Sequence, residues 1–187
     1  MSDYASLDPR FDADKLKTHL SNLYVRMQDA WHEKNIEELR PYMTDAFYGQ
    51  MDRQLDSLRK ARRTDYTERI AVLGVELLGY RQANGMDYIT ARLNTRIVSY
   101  ILDDGTGKVV SGDRDREKFM EYEWDIVRKS GTKTEKGADL QTVNCPHCGA
   151  PLTIGATGRC AYCGSVVSAL NTNWAVSAMR GISQRTV

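Results

Sequence analysis

Met86-Asp87-Tyr88-Ile89-Thr90-Ala91-Arg92-Leu93-Asn94-Thr95-Arg96-Ile97-Val98-Ser99-Tyr100-Ile101-Leu102 alternates in polarity along most of its length. Ile89, Ala91, Leu93, Ile97 and Ile101 fall on one parity, and Arg92, Asn94 and Arg96 on the other. Successive side chains of a strand point to opposite faces, so this pattern predicts a long strand with one apolar and one wet face. Asn84-Gly85 immediately before it is a tight hairpin signal, which makes Ile70–Tyr80 the antiparallel neighbour. That run is apolar on both parities and is expected either to be buried on both faces or to bulge near Gly74. Downstream, Asp103-Asp104-Gly105 turns the chain, and the charged segment Asp113–Lys118 leads into a third long strand. There Met120, Tyr122, Trp124 and Ile126 alternate with Glu121, Glu123 and Asp125. The result is an antiparallel sheet, wet on one face and covered on the other.

The cover precedes the sheet. Leu16, Leu20, Leu23, Met27 and Trp31 recur at steps of three and four, one face of a helix. Asp12 or Asp14 is placed to cap its start, and Glu33-Lys34-Asn35 ends it. Ile36–Leu39 reads as a short second helix before Pro41, and Thr44-Asp45 opens a third with Phe47, Met51, Leu55 and Leu58 as its stripe. The third ends in Arg59-Lys60-Ala61-Arg62-Arg63, a charge favoured at a helix C-terminus. The fold class is therefore α+β, helices packed on an antiparallel sheet. Residues 1–12, with Asp3, Asp8 and Asp12 around Pro9 and no periodicity, are expected to be a flexible N-terminal arm. Residues 13–130 form the main domain and 131–141 a polar linker.

All four cysteines lie beyond that linker, in Cys145-Pro146-His147-Cys148-Gly149 and Cys160-Ala161-Tyr162-Cys163-Gly164. Paired C-x-x-C turns that each end in glycine bring four sulfurs to one point, which suits a tetrahedral Zn²⁺. Gly149 and Gly164 stand where the chain needs a positive φ. Four thiolates leave no open position for water, so one structural Zn²⁺ held by Cys145, Cys148, Cys160 and Cys163 is expected. Iron is the rival metal, because paired knuckles also hold iron; a disulfide pair or a dithiol redox centre fits the sequence less well. Residues 142–170 have few large apolar side chains, so this zinc ribbon depends on its metal for folding. Residues 171–187 form a C-terminal tail whose Trp174, Val176, Met179 and Ile182 pack on the ribbon or return to the first domain.

A hydrophobic content of 41%, a charged content of 27% and a formal net charge of +1 describe a globular chain with no bulk charge for nucleic acid. The longest apolar run contains Glu76 and is too short to span a bilayer. The opening residues carry no apolar leader, and the expected location is the cytoplasm, with membrane contact at most peripheral.

The helix ending Gln28-Asp29-Ala30-Trp31, the segment Ile36-Glu37-Glu38-Leu39-Arg40-Pro41-Tyr42 and the Gln54-Leu55 helix, followed by long strands, carry a resemblance. Together they resemble the C-terminal domain of the forty-four-kilodalton subunit of the mitochondrial inner-membrane import machinery and its bacterial relatives. Cys145–Leu152, Gly158–Gly164 and Trp174 resemble the ribbon that bacterial members carry. The resemblance implies a cone of helices on a curved antiparallel sheet, similar to the nuclear transport factor two fold. It implies a non-enzymatic role in docking a protein, an acidic lipid or an apolar ligand, with no family motif for the docking residues.

Cones of this kind enclose an apolar space, and Tyr24, Trp31, Tyr88, Tyr122 and Trp124 are the candidates to line it, although each one singly is better explained by the core. A binding module predicts a cavity without a titratable group. An isomerase or dehydratase, the second function class, predicts Asp, Glu or His beside a Tyr hydroxyl. Among the histidines, His19 neighbours Leu16 and Leu20, and no carboxylate falls on the apolar parity of the last strand. A nucleic-acid-binding ribbon is the third class, disfavoured because Arg159 is the only Arg or Lys in residues 142–170. A protein partner or an apolar or lipid ligand is expected instead, and a homo-oligomer is compatible with the sequence.

Overall fold

In the computed structural model, residues 2–134, 142–145, 148–153, 162–165 and 174–187 are described. Helices α1 (Ser2–Leu7), α2 (Ala13–His32) and α3 (Asp45–Ala61), with a 3-10 turn at Glu37–Tyr42, precede strands β1 (Arg63–Ala83), β2 (Met86–Asp103) and β3 (Val109–Lys129). Then come the short β4 (Thr142–Asn144) and β5 (Pro151–Thr153), and finally β6 (Ala175–Thr186).

The long strands form one antiparallel sheet in the order β1-β2-β3-β6, and β4 pairs with β5 in a second, two-stranded sheet. At the β1–β2 hairpin, Asn84 and Gly85 both take positive φ, 52° and 72°, the geometry that Asn-Gly supplies at little cost. Up to Ile97 the pleat alternates as its sequence dictates; beyond it Val98 and Tyr100 are buried and Ile101, expected on the inner face, is half-buried, because the β2–β3 register shifts there. Ile89, Ala91 and Leu93 are fully buried on the inner face, opposite Ile126, Trp124 and Tyr122 of β3. The outer face is a ladder of charge: Arg92 bonds Glu123 at 3.1 Å, Thr90 and Arg180 bond Asp125 at 2.9 and 2.8 Å.

The helices cover the inner face. Asp12 Oδ1 accepts from the amides of Asp14 and Lys15 at 3.0 Å, capping α2. Leu16, Leu20, Leu23, Tyr24 and Met27 of α2 are buried, as are Phe47, Met51 and Leu55 of α3, whose start Thr44 caps. The short helix forms one residue later than Ile36 and as a 3-10 turn containing Pro41. A 3-10 turn tolerates that proline better than a longer α-helix would.

Two features differ from the sequence-based expectations, and two alternatives left open by the sequence are decided. Residues 1–12 are not a loose arm: Tyr4 and Asp8 are buried, and α1 packs its Tyr4 ring against Phe11, Tyr80 and Trp174. One helical turn and a half is too short for periodicity to reveal. Of the two placements of the C-terminal tail, the return to the first domain holds: β6 pairs with β3 from Val127↔Ala175 to Lys118↔Thr186, and Thr44 N–H donates to Val176 O at 2.9 Å. Of the two readings of Ile70–Tyr80, the bulged one holds. The β1–β2 register shifts between Glu68 and Ala71, Val72 and Gly74, and Leu77 and Gly79. The strand is an edge and its second face stays open, with Leu73 55% and Leu78 40% exposed. The third strand starts earlier than Asp113, at Val109, and bulges between Gly112 and Glu117, which pair with Tyr100 and Val98.

Sheet and helices together make a cone, and curvature brings the two outer strands toward one another: Asp65 of β1 and Met179 of β6 meet at one cavity.

Candidate functional site

The cavity has a volume of about 230 Å³ and opens between α2, α3, β1 and β6. Met27, Phe47, Met51 and Met179 supply its apolar wall, Trp31 its aromatic one, and Gln28, Gln50 and Gln54 its polar lining. These residues converge because α2 presents Met27, Gln28 and Trp31 at steps of one, three and four. Helix α3 presents Phe47, Gln50, Met51 and Gln54 in the same way. Each helix turns part of its buried stripe to the gap, Met27 on α2 and Phe47 and Met51 on α3, with the glutamines beside it.

Asp65 is the one carboxylate on this wall. Burial pushes its carboxyl above the ordinary value, against the Trp31 side chain and the charge of Lys118, which favour the anion. Its Oδ1 is buried without a hydrogen-bond partner. Lys118 bonds the Ser99 hydroxyl at 3.4 Å instead of pairing with it. The cavity thus matches neither sequence-based expectation in full: it holds a titratable group, and that group is held by an indole, not by a tyrosine hydroxyl.

The aromatic residues expected to line the cavity separate into three situations. Trp31 lines it. Tyr24, Tyr122 and Trp124 form a cluster in the core, with Tyr24 5.6 Å from Tyr122 and 6.3 Å from Trp124, centroid to centroid. The Tyr24 hydroxyl lies 3.3 Å from Thr95 Oγ1. Burial raises the hydroxyls of Tyr24 and Tyr122 above the ordinary tyrosine value, so both stay protonated. Tyr88 stands on the outer face, where Arg81 lies 3.8 Å over its ring. Its parity is that of Arg92, and a strand cannot turn one residue to the other side without a bulge. His19 is buried against Tyr42, at 5.6 Å between ring centroids.

The second candidate is the cysteine cluster. Cys145, Cys148 and Cys163 present sulfurs that all lie within 4.8 Å of one another. Cys145 Sγ and Cys163 Sγ are 3.7 Å apart. A disulfide would require about 2.05 Å, whereas a tetrahedron with metal–sulfur bonds of about 2.3 Å has an edge of about 3.8 Å. Gly149 and Gly164 take φ of 74° and 69°, as the knuckles require. Within the first knuckle, Cys145 N–H donates to Ala150 O and Gly149 N–H to Cys145 O, each at 2.8 Å. Three thiolate donors in this arrangement could hold a soft or borderline metal ion. Cys160, the expected fourth ligand, lies outside the described residues, as do His147 and Arg159. Cys145 is itself buried in the same apolar cluster as Tyr4, Trp174 and Val176, so the first knuckle is built onto the cone.

At the basic helix end, Arg59 is committed locally. Arg59 bonds Asp56 and Asp52 at 2.7 and 3.4 Å and donates to the carbonyl of Lys34. Asp65, by contrast, escaped the sequence reading. An aspartate just after a basic run reads as a solvated strand start, and only its place opposite Ile101 would have betrayed it.

No helix among the described residues is long and apolar enough to cross a membrane. No curated protein is similar enough to match the chain. The family model described as Tim44-like domain matches residues 1–138. That span takes in α1, α2, α3 and three of the four strands of the large sheet, so the chain belongs to the Tim44-like domain family.

Proposed function

We propose that this protein is a non-enzymatic binding scaffold, whose cone receives an apolar or lipid-like ligand or a protein segment. The observation that carries the reading is the cavity between the helices and the two outer strands, walled by Met27, Trp31, Phe47, Met51 and Met179. Methionine-rich walls adapt to occupants of different shape, and a concave space that sets an apolar wall beside convergent polar groups is where a ligand binds. The family also supports a binding role. The cysteine cluster holds one structural Zn²⁺, with Cys160 completing the set begun by Cys145, Cys148 and Cys163; the 3.7 Å sulfur separation supports this. Zinc here organises the ribbon and gives partners a fixed surface. Cytoplasmic residence, with peripheral membrane contact through a partner, accords with reduced thiolates.

Native mass spectrometry of the purified chain, combined with metal analysis, tests the reading. One zinc per chain and a co-purifying lipid or small molecule are expected. Iron in place of zinc would return electron transfer to contention. An empty spectrum at every protein concentration, with no hydrophobic probe displaced, would sink the cavity reading.

A second reading rests on Asp65, a half-buried carboxylate at a cavity wall of the sort that acid–base enzymes use. Turnover of a small carbonyl substrate that is abolished in Asp65→Asn would establish it. Nucleic-acid binding is disfavoured, since Arg59 of the basic helix end is consumed by Asp52 and Asp56.

A further inference from the structure

The Asp65 carboxylate is out of place in an apolar-ligand cavity. A buried carboxylate normally has two or more donors, and leaving one oxygen unpaired costs free energy. Asp65 Oδ1 has none, and the side-chain amides of Gln28, Gln50 and Gln54 line the same cavity without bonding it. No described residue supplies the partner that would satisfy this oxygen.

We infer that the cavity is a site for a small amphipathic cation, an aliphatic or aromatic primary amine, whose ammonium pairs with Asp65 and whose apolar body lies against Met27, Phe47, Met51 and Met179. The inference rests on the binding-module reading and gives it a ligand class. An ammonium offers the donors and the charge that Oδ1 lacks, and a charge-assisted hydrogen bond in a low-dielectric pocket is about twice as strong as a neutral one. The Trp31 ring is the wall best suited to a cation, because its face is electron-rich. The glutamines can accept the remaining ammonium protons through their carbonyl oxygens. Size sets the other bound. At about 30 Å³ per water-sized unit, a space of about 230 Å³ holds a ligand of roughly eight nonhydrogen atoms. The same geometry opposes anions: a carboxylate ligand would face Asp65 with like charge.

Three probes of matched length separate the possibilities: hexylamine, hexanol and hexanoate, titrated at neutral pH into the full chain. Binding is followed by calorimetry and by the Trp31 indole N–H signal in nuclear magnetic resonance. The expected order is hexylamine tighter than hexanol by about tenfold, which corresponds to about 1.4 kcal/mol, with hexanoate weaker than both and the Trp31 signal moving with the amine. In Asp65→Asn the amine should lose its tenfold advantage over hexanol, and a circular-dichroism spectrum and cooperative melt like the parent's certify that the variant is folded. Equal affinity of amine and alcohol for the unaltered protein overturns the cation inference yet leaves the binding-module reading standing. Tighter binding of hexanoate overturns it as well, since the carboxyl would then be serving as a donor to an acid. If none of the three moves the Trp31 signal, the cavity is no ligand site and both readings fall.

Discussion

Arg128 Nη2 lies 2.6 Å from Asp8 Oδ2, and the two side chains are only 3% and 2% exposed. The pair joins α1 to the end of β3. Arg128 also donates to the Tyr4 hydroxyl, from Nε at 2.8 Å and Nη2 at 2.6 Å, and its guanidinium lies 4.6 Å over the Trp174 ring. Tyr4 in turn donates to Asp87 Oδ2 at 2.8 Å, and Thr134 gives Asp8 both its amide and its hydroxyl. The first helix, the β1–β2 hairpin, the start of the linker and the entry to β6 are thus closed on one buried polar knot.

Removing one partner of such a pair leaves the other charge buried and alone. Asp8→Ala is expected to cost about 3–5 kcal/mol, and Tyr4→Phe about 1–3 kcal/mol through the donors and acceptor it strands. Urea denaturation measures both. An Asp8→Ala protein as stable as the parent would mean that α1 does not hold the cone together.

The knot also sets an acid limit. Burial pushes the Asp8 and Asp87 carboxyls up. For Asp8, hydrogen bonds from Thr134 and Arg128 outweigh burial; for Asp87, those from Ser130, Gln82 and Tyr4 do, and the guanidinium charge adds to both, so each carboxyl lies below its ordinary value. A carboxylate with a lowered folded pKa binds protons more readily when unfolded. Its stabilisation is therefore complete above the unfolded value of about 3.9 and is lost as pH falls through the folded one. Thermal melts from pH 7 downward should show this loss, and Asp8→Asn should flatten part of it.

Asp65 has the opposite sign. Burial raises its folded pKa, so its contribution is fully present below the unfolded value and declines as pH rises through the folded one. Asp65→Asn should therefore stabilise the protein at neutral pH, by about 1 kcal/mol, and change little in acid. A melting temperature that falls at neutral pH in this variant would show that Asp65 is paired in solution.

For the metal, Cys148→Ser is expected to lower zinc from one per chain to none. The four-stranded sheet should persist, because β6 is held by its ladder to β3 and by Thr44, not by the knuckles. Circular dichroism and metal analysis of the same sample read both outcomes. Loss of the sheet together with the zinc would make the metal part of the cone's own fold.

Gly112 gives a sharper test of the β2–β3 bulge. A Cβ there would stand 2.4 Å from Ser99 O, and its φ is +79°. Gly112→Ala should cost more than the roughly 1 kcal/mol of an ordinary conformational penalty. Denaturant unfolding that shifts by less would mean the bulge rearranges freely.

Much of this was written locally. The alternation in Met86–Ile97 and in Met120–Ile126 determined two strands and the face each buries. Asn84-Gly85 determined their hairpin partner, and the three- and four-residue steps of Leu16–Trp31 determined the helix that covers them. The glycines after each cysteine pair determined the positive φ of the knuckles. Each is a short-range consequence of side-chain period or of a missing Cβ, so a single stretch suffices to express it.

What only the tertiary structure decided depends on register and on distant partners. Counting back from Ala83↔Met86 without bulges, Asp65 would fall opposite Asp104 in the turn; the three register shifts of β1 set it opposite Ile101, on the cavity wall. The same holds for Tyr4 and Arg128, more than a hundred residues apart, and for β6, which reaches β3 only after the ribbon has intervened. Bulges and long-range pairings are settled by which packing leaves the fewest buried groups unpaired across the whole cone, and that comparison cannot be made within any one segment of the chain.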